Sequence, residues 1–204
     1  MAHATTHSAF RTIVAFAVSA VIPFGTAAQS SAASDYHLDV SQLTGAPGSV
    51  VTVSTFDLAP DQSYRIAIGA LGFGFEELGW VMADADGNLS VEVEIPHWAP
   101  NDAIHRFILN DLYQRPMGFS GLFHVTDAEG DVQREGRVAA SGDGGLLLIG
   151  VDEVSYVLEG DVGGLVPGSE VVIDGPVVDS CECTGAATIQ VQSASPLRQS
   201  DGSS

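Results

Sequence analysis

Two closely spaced cysteines, in the run Cys181-Glu182-Cys183, are residues whose type and spacing could do chemistry. Side chains two residues apart in a strand lie on the same face, so these two thiols are close together. In an oxidising compartment they would close a small, strained disulfide ring, and strained disulfides are the reducible ones. We expect a structural or incidental pair at Cys181 and Cys183, with a redox site as the alternative, and the sequence leaves open whether the pair is oxidised to a disulfide. Two thiols are too few for a structural zinc site, which takes four ligands.

Residues 97–127 contain the residue types of a hydrolase triad. These are His97, His105, His124, Ser120, Asp102 and Asp127. Geometry, not nearness in sequence, identifies a triad. Residues 118–121, Gly-Phe-Ser-Gly, do not match the G-x-S-x-G nucleophile elbow. His105 and His124 fall within alternating strand patterns, where a hydrogen-bonded or outward histidine is the ordinary case. We therefore predict no catalytic residue here.

Residues 84–88, Asp-Ala-Asp-Gly-Asn, superficially resemble a calcium loop. An EF-hand also needs a glutamate at position 12 and two flanking helices, and the sequence provides neither. Asp-Gly between alternating runs instead favours a hairpin turn. Glycines at positions 72 and 74 are not followed by a helix that would receive a phosphate. We predict no metal ligands and no cofactor.

The stretch from Gly69 to Trp80 combines aromatic and acidic residues, including Glu76 and Glu77. Exposed aromatic side chains mark interfaces and platforms for ligands. We therefore predict a recognition patch formed by Phe73, Phe75, Trp80 and Trp98. The alternative is that these aromatic rings close the end of a β-sandwich, because aromatic side chains usually belong to the core.

The charge of the chain excludes one class of partner. The sequence has 26 acidic and 7 basic residues, a net charge of −19, and all of the basic residues are arginines. Nucleic-acid affinity rests mainly on basic side chains that neutralise phosphates, so we expect no nucleic-acid partner. An acidic surface of this kind keeps a protein soluble and attracts cations or basic partners.

The elements that must position these residues are short β-strands. The clearest alternation is in residues 89–95, where Leu89, Val91, Val93 and Ile95 alternate with polar side chains. We predict that residues 78–83 pair with this strand through the Asp-Gly turn. No segment keeps a helical period for three turns. Seven short strands in about 90 residues at regular spacing are typical of a β-sandwich.

The first 33 residues have the pattern of a secretory signal. Arg11 precedes an apolar run from Thr12 to Phe24, and small residues follow at positions 25–28. The run is shorter than the ~20 residues of a membrane span. We expect residues 1–33 to be removed on export to the periplasm or the extracellular space, leaving no membrane span. An uncleaved signal anchor is the alternative.

The turn residues follow a rhythm: Gly45-Ala46-Pro47-Gly48 opens a strand, Phe56 to Pro60 forms a turn, residues 83–88 precede another strand, and Ile95-Pro96 ends it. In this pattern residues 38–126 resemble exported bacterial immunoglobulin-like domains. The resemblance implies an immunoglobulin-like sandwich over residues 35–126. Modules of this family usually carry glycine just before the Phe-x-x-Pro turn, whereas this chain has Ser54-Thr55-Phe56-Asp57.

The second half is also rich in short apolar runs and glycine turns. The stretch from Tyr156 to Val171, with Gly175 and residues 185–191, is similar to a small barrel domain of unknown function in bacterial exported proteins. The resemblance covers residues 137–192 and implies a fold and a compartment, not an activity. That family usually has a cysteine in its early strands, and this chain has none there, so a cross-barrel disulfide does not carry over.

These patterns predict an all-β protein with five parts: a signal peptide (1–33), an immunoglobulin-like sandwich (35–126), a polar linker (127–136), a small OB-like β-barrel (137–194) and a disordered tail (195–204). The expected function is non-catalytic, namely binding or structural work with an envelope or extracellular partner. The alternative is a cryptic secreted enzyme, either a hydrolase or a redox protein using Cys181 and Cys183. The sequence leaves the ligand and the oligomeric state open.

Overall fold

The computed structural model describes residues 36–70, 74–142, 144–178 and 187–197, and these residues form β-strands and turns without a helix. The predicted signal peptide, Cys181, Cys183 and Phe73 lie outside the described residues. In the described part of the chain, no helix has the length and hydropathy needed to cross a membrane. For these residues, the prediction of an all-β fold is confirmed.

The described strands form two sheets. The first sheet contains β1 (Tyr36–Val40), β2 (Thr44–Gly45), β3 (Val50–Thr55), β4 (Ser63–Ala70), β5 (Gly74–Met82), β6 (Leu89–Glu94), β7 (Ile104–Asn110), β8 (Pro116–Ser120) and β9 (Phe123–Val125). The second contains β10 (Val132–Ala140), β11 (Leu146–Gly150), β12 (Ser155–Gly160), β13 (Glu170–Gly175), β14 (Val177–Val178), β15 (Ala187–Val191) and β16 (Ser193–Pro196).

Both sheets mix parallel and antiparallel pairs. The first runs in the order β2-β9-β7-β8-β1-β3-β6, with β4 beside β7 and β5 beside β4. Its parallel pairs are β1 with β8 and β2 with β9. The second runs in the order β14-β15-β12-β11-β10-β13-β16, with β12 and β15 parallel. Within the described residues β5 pairs only with β4, so β5 is an edge strand of the first sheet.

Each sheet buries its own apolar side chains, because alternate residues of a strand point to opposite faces. The first core includes Leu38, Val53, Ile66, Phe107 and Phe123. The second core includes Val132, Leu148, Tyr156, Ile173 and Ile189. The two cores meet at β7 and at the turn after β8: Ile104 belongs to the second core, and Leu122 packs against it. The two sheets are therefore in direct apolar contact.

The turn at residues 84–88 forms, but the predicted hairpin does not. The Asp84 carboxylate accepts the backbone N–H groups of Asp86 at 2.9 Å and Asn88 at 2.8 Å. The strands on either side pair elsewhere, β5 with β4 and β6 with β3. The turn is instead bonded to the loop after β3, where Leu58 N–H donates to the Gly87 carbonyl at 2.9 Å. The turn therefore joins two strands that are not hydrogen-bonded neighbours.

Strand β10 begins inside the stretch predicted as a linker, residues 127–136. Its residues alternate between buried and exposed, and Val132, Arg134 and Gly136 are the buried ones at its start. An arginine and a glycine do not look apolar in a sequence, which is why this strand was missed. Gly136 is required by packing, because a Cβ there would lie 2.3 Å from the Ile149 carbonyl oxygen.

The chain also stays in the second sheet beyond the predicted end of the barrel. Ser195 and Pro196, assigned from the sequence to a disordered tail, belong to β16. They pair with Val172 and Val171 of β13. The pairing was not visible in the sequence because β16 has the composition Ser-Ala-Ser-Pro, without an apolar alternation.

Candidate functional site

A β-bulge sets which side chains of β5 share a face. The cross-strand pairs on one face of β4 and β5 are Gly69 with Phe75, Ala67 with Glu77, and Arg65 with Trp80. The register shifts between the last two pairs, so Leu78 is the extra residue of a bulge. Directly paired residues lie on the same face of a sheet. The bulge thus puts Phe75, Glu77 and Trp80 on one face, which we call the outer face.

Strands β7 and β8 extend the outer face. Arg106 of β7 pairs with Gly69, and Ile108 pairs with Ala67. Phe119 of β8 pairs in turn with Ile108. The outer face of four neighbouring strands thus presents Phe75, Arg106, Ile108 and Phe119, while the opposite face of β4 and β7 carries the buried core.

A cavity of about 420 Å³ lies on the outer face. It is lined mainly by apolar side chains: Phe75, Ile104, Ile108, Phe119, Leu122 and Val154. Val154 and Asp152 come from the turn between β11 and β12, so the second sheet supplies one wall of this cavity. Pockets that hold small molecules typically measure about 300–1,000 Å³ and are lined mostly by apolar groups. By size and lining, this cavity suits a small ligand with an apolar body.

Two charged side chains border the cavity, and they differ in how they are held. One carboxylate oxygen of Asp152 accepts the Val154 backbone N–H at 3.1 Å, which fixes the side chain in its turn. Arg106 is exposed, and its side chain has no hydrogen bond or ion pair with any described residue. Its guanidinium can therefore meet a ligand without first breaking an internal contact.

The predicted recognition patch is divided between two faces. Phe75 and Trp80 are 62% and 56% exposed and share the outer face. The Arg65 guanidinium lies 4.2 Å from the centre of the Trp80 ring, a cation–π geometry. Trp98, 43% exposed, donates its indole N–H to Glu76, which pairs with Ile68 on the buried face of β4. Of the predicted aromatic residues that the structure describes, only Phe75 lines the apolar cavity.

A buried polar junction connects the two sheets around Arg134, which is 2% exposed. All five guanidinium N–H groups are used: they donate to the Tyr156 hydroxyl, to the carbonyl oxygens of Asn101, Ala103 and Gln133, and to His124 Nδ1. No carboxylate among the described residues forms an ion pair with Arg134. The junction is saturated by neutral acceptors, so it has a structural character.

The histidines of this junction are held neutral. Burial, and then the positive charge of Arg134, lowers the pKa of His124 to about 3. A neutral ring is also what its contact requires, because His124 Nδ1 accepts from Arg134 at 3.2 Å. Burial lowers the pKa of His105 to about 4; the nearby backbone of Ala103 opposes this shift, as does the charge of Asp102, whereas the charge of Arg134 acts in the same direction as burial. Neither ring nitrogen of His105 has a hydrogen-bond partner among the described residues.

The structure does not assemble the hydrolase residues into a triad. Ser120 is buried; its hydroxyl accepts the Phe107 backbone N–H at 2.9 Å and donates to the Gly121 carbonyl at 2.7 Å. Among the described residues, no histidine is hydrogen-bonded to Ser120. His97 is exposed and lies near Glu94, with Nε2 3.7 Å from a carboxylate oxygen. Both hydrogen bonds of the Ser120 hydroxyl are with backbone groups, as expected for a structural serine.

The part of the chain that the structure describes contains no group of three or more His, Cys, Asp or Glu residues placed to hold a metal ion. The redox alternative rests on Cys181 and Cys183, which are outside the described residues. The apolar cavity therefore remains the candidate site.

Most of the cavity was not identified from the sequence. Ile104, Arg106 and Ile108 alternate along β7, so the sequence predicts that they lie on the same face of the strand. However, both faces of β7 carry apolar residues, and the sequence does not say which face is the core. The contribution of Asp152 and Val154, which follow β7 by more than forty positions, depends on how the two sheets meet.

No protein-family model matches the chain, and no curated protein is similar to it. Among solved structures, macromomycin aligns with a TM-score of 0.34 and 18% identity, over 45% of this chain and 97% of macromomycin. A tetra-tandem repeat in the extending region of a large adhesion protein aligns with a TM-score of 0.31 and 14% identity, over 80% of this chain and 49% of that structure. Both TM-scores are low, and neither likeness bears on function.

Proposed function

We propose that this chain is an exported, non-catalytic protein that binds a small apolar ligand in the periplasm, the cell envelope or the extracellular space. The observation that carries this proposal is the apolar cavity on the outer face, which has the volume of a small-molecule site. In finer detail, we propose an immunoglobulin-like sandwich formed by β1–β9 and a small OB-like barrel formed by β10–β16. The two cores and their order along the chain support this division.

Binding is favoured over catalysis by where the polar groups lie. Ser120, His105 and His124 are buried away from the cavity, and Ser120 and His124 make structural hydrogen bonds. The cavity itself offers mostly apolar surface. Removing apolar surface from water contributes about 25 cal/mol per Å², so a ligand that fills such a cavity gains affinity mainly from burial. Among the described residues, the cavity lining holds no serine, cysteine or histidine, and its one carboxylate, Asp152, is hydrogen-bonded to the Val154 backbone.

A neutral fluorescent probe with an apolar body, pyrenebutanol, tests the binding function. We expect saturable binding by the wild-type protein, detected as a change in pyrene fluorescence. Ile108→Trp places a large ring in the cavity and should abolish that binding. Val166→Trp is the matched control, because Val166 is 62% exposed and does not line the cavity, and it should bind as the wild type does. Absence of binding by the wild type, or equal binding by both variants, would contradict the proposal.

Export is tested separately, by expressing the full chain and sequencing the N-terminus of the protein recovered outside the cytoplasm. The small residues Gly25 to Ala28 and the apolar run before them favour cleavage within or shortly after this segment. Recovery of an uncleaved chain in the membrane fraction would support the signal-anchor alternative. Recovery only in the cytoplasm would contradict export.

A further inference from the structure

We propose that the ligand of the apolar cavity carries a single carboxylate, which pairs with Arg106 while its apolar body fills the cavity. This inference rests on the proposed function and adds the ligand's chemical class. It comes from the charges that border the cavity, since the apolar lining alone would not distinguish a carboxylate from an alcohol or a hydrocarbon.

The first step is the isolation of Arg106. The chain has 26 acidic residues, so an arginine without a carboxylate partner is unexpected. The ion pairs of the described arginines are Arg65 with Glu77, Arg115 with Asp111, and Arg137 with Glu170. The buried Arg134 uses all of its donors internally. Of the arginines in the described ranges, only Arg106 has a guanidinium without a hydrogen bond or an ion pair. This guanidinium borders the cavity.

The second step is the apolar surroundings of Arg106. Its cross-strand neighbour on the outer face is Gly69, which has no side chain. A Cβ at Gly69 would lie 3.1 Å from Phe75 Cβ and 3.3 Å from Ile108 Cδ1, so a larger residue would crowd the lining. Glycine therefore lets Phe75 and Ile108 pack closely over β4, which places their apolar side chains next to the strand position of Arg106. A planar guanidinium with several N–H donors matches a carboxylate bidentately, which favours a carboxylate over a neutral hydroxyl.

The third step is that the acidic residues of the protein limit how much negative charge the ligand can carry. The chain's net charge of −19 repels small anions at long range, so a carboxylate without an apolar body should bind poorly. Asp152 also borders the cavity and would repel a second anionic group. These charges point to one carboxylate on an apolar body rather than to a dicarboxylate or an inorganic anion.

A matched pair of probes tests the inference: pyrenebutanoic acid and pyrenebutanol, which share an apolar body and differ in charge. At neutral pH and low salt, we expect the wild type to bind the acid about five- to tenfold more tightly than the alcohol. Arg106→Gln should remove this preference, because it should weaken binding of the acid more than binding of the alcohol. Arg115→Gln is the matched control, since it removes a charge of the same sign from an exposed arginine that does not line the cavity.

The outcomes separate the two proposals. If the wild type binds both probes with equal affinity, the inference is overturned and the binding function stands. If it binds neither probe, the binding function fails and the inference fails with it. A preference for the acid that survives Arg106→Gln, or that is lost equally in Arg115→Gln, would also overturn the role of Arg106.

Discussion

The junction around Arg134 and the cavity beside Arg106 each contain a guanidinium next to apolar side chains, but the two groups are held differently. Arg134 is 2% exposed, and each of its N–H groups donates to an acceptor of the protein. Arg106 is exposed and has no polar partner among the described residues, yet it borders the apolar cavity. One guanidinium joins the two sheets, and the other is open to a ligand.

The difference shows how structural and binding polar groups can be distinguished. A buried polar group costs free energy unless it is hydrogen-bonded, so a saturated group such as Arg134 is explained by the fold alone. An unsatisfied charge beside an apolar cavity does not stabilise the fold through any contact. Substitution of a saturated residue such as Arg134 should therefore lower the stability of the fold. Substitution of an unsatisfied residue such as Arg106 should change the affinity for a ligand.

The largest expected effect is on stability at the junction. Arg134→Met removes five hydrogen bonds and leaves the carbonyl oxygens of Asn101 and Ala103 without this donor. We expect the free energy of unfolding to fall by about 3 kcal/mol or more, measured by urea denaturation. Arg106→Gln is the paired control and should change it by less than about 0.5 kcal/mol. Equal effects of the two substitutions would remove the contrast between the two regions.

The second prediction concerns acid sensitivity of the junction. The pKa values of His105 and His124 are about 4 and about 3, below the 6.5 of an exposed histidine. The unfolded chain therefore binds more protons than the folded protein between pH 6.5 and these values, so stability is full above pH 6.5 and falls as the pH decreases. Each pKa unit corresponds to about 1.4 kcal/mol, so we expect a total loss of several kcal/mol.

Urea denaturation as a function of pH measures this dependence, and His105→Leu isolates one contribution. The substitution removes a buried ring whose nitrogens have no partner, so the stability curve should become flatter between pH 6.5 and pH 4. The control is His97→Gln, because the His97 side chain is 82% exposed. An unchanged slope in His105→Leu would show that the buried histidine does not control acid sensitivity.

A smaller effect is expected at Ser120, where a structural and a catalytic role differ. Ser120→Ala leaves the buried Phe107 N–H without its acceptor, which should cost about 1–3 kcal/mol of stability. Differential scanning calorimetry measures the loss. If the stability is unchanged while an esterase activity of the wild type disappears, Ser120 is a nucleophile and the hydrolase alternative is restored.

The smallest effect should come from Asp57, outside both regions. Asp57 has φ +61°, in the left-handed region that glycine adopts without strain. Asp57→Gly should therefore stabilise the protein by about 0.5 kcal/mol, measured by urea denaturation. A loss of stability would mean that the Asp57 side chain makes a favourable contribution larger than the backbone strain.

Local patterns in the sequence predicted local structure well. The alternation in residues 89–95 corresponds to β6, and the Asp-Gly turn at residues 84–88 forms with Asp84 as its acceptor. Both depend on neighbouring residues only. The partners of the strands on either side depend on distant contacts, such as Leu58 with Gly87, and for this reason the hairpin prediction was wrong.

The candidate site was harder to predict because it depends on register and on contact between sheets. The Leu78 bulge places Trp80 on the same face as Phe75, and no local pattern indicates it. Arg134 has a charged side chain in a buried strand position, so it was assigned to a linker. Arg106 became a candidate ligand-binding residue only when the structure showed that no described carboxylate forms an ion pair with it and that it borders the cavity.

A crystal structure of the protein with pyrenebutanoic acid tests the central claim most directly. We predict the pyrene ring in the apolar cavity, against Ile108 and Phe119, with the carboxylate within hydrogen-bond distance of the Arg106 guanidinium. A ligand bound elsewhere on the protein, with the cavity unfilled, would contradict the claim. A ligand in the cavity with its carboxylate directed away from Arg106 would leave the binding site in place and contradict its proposed chemistry.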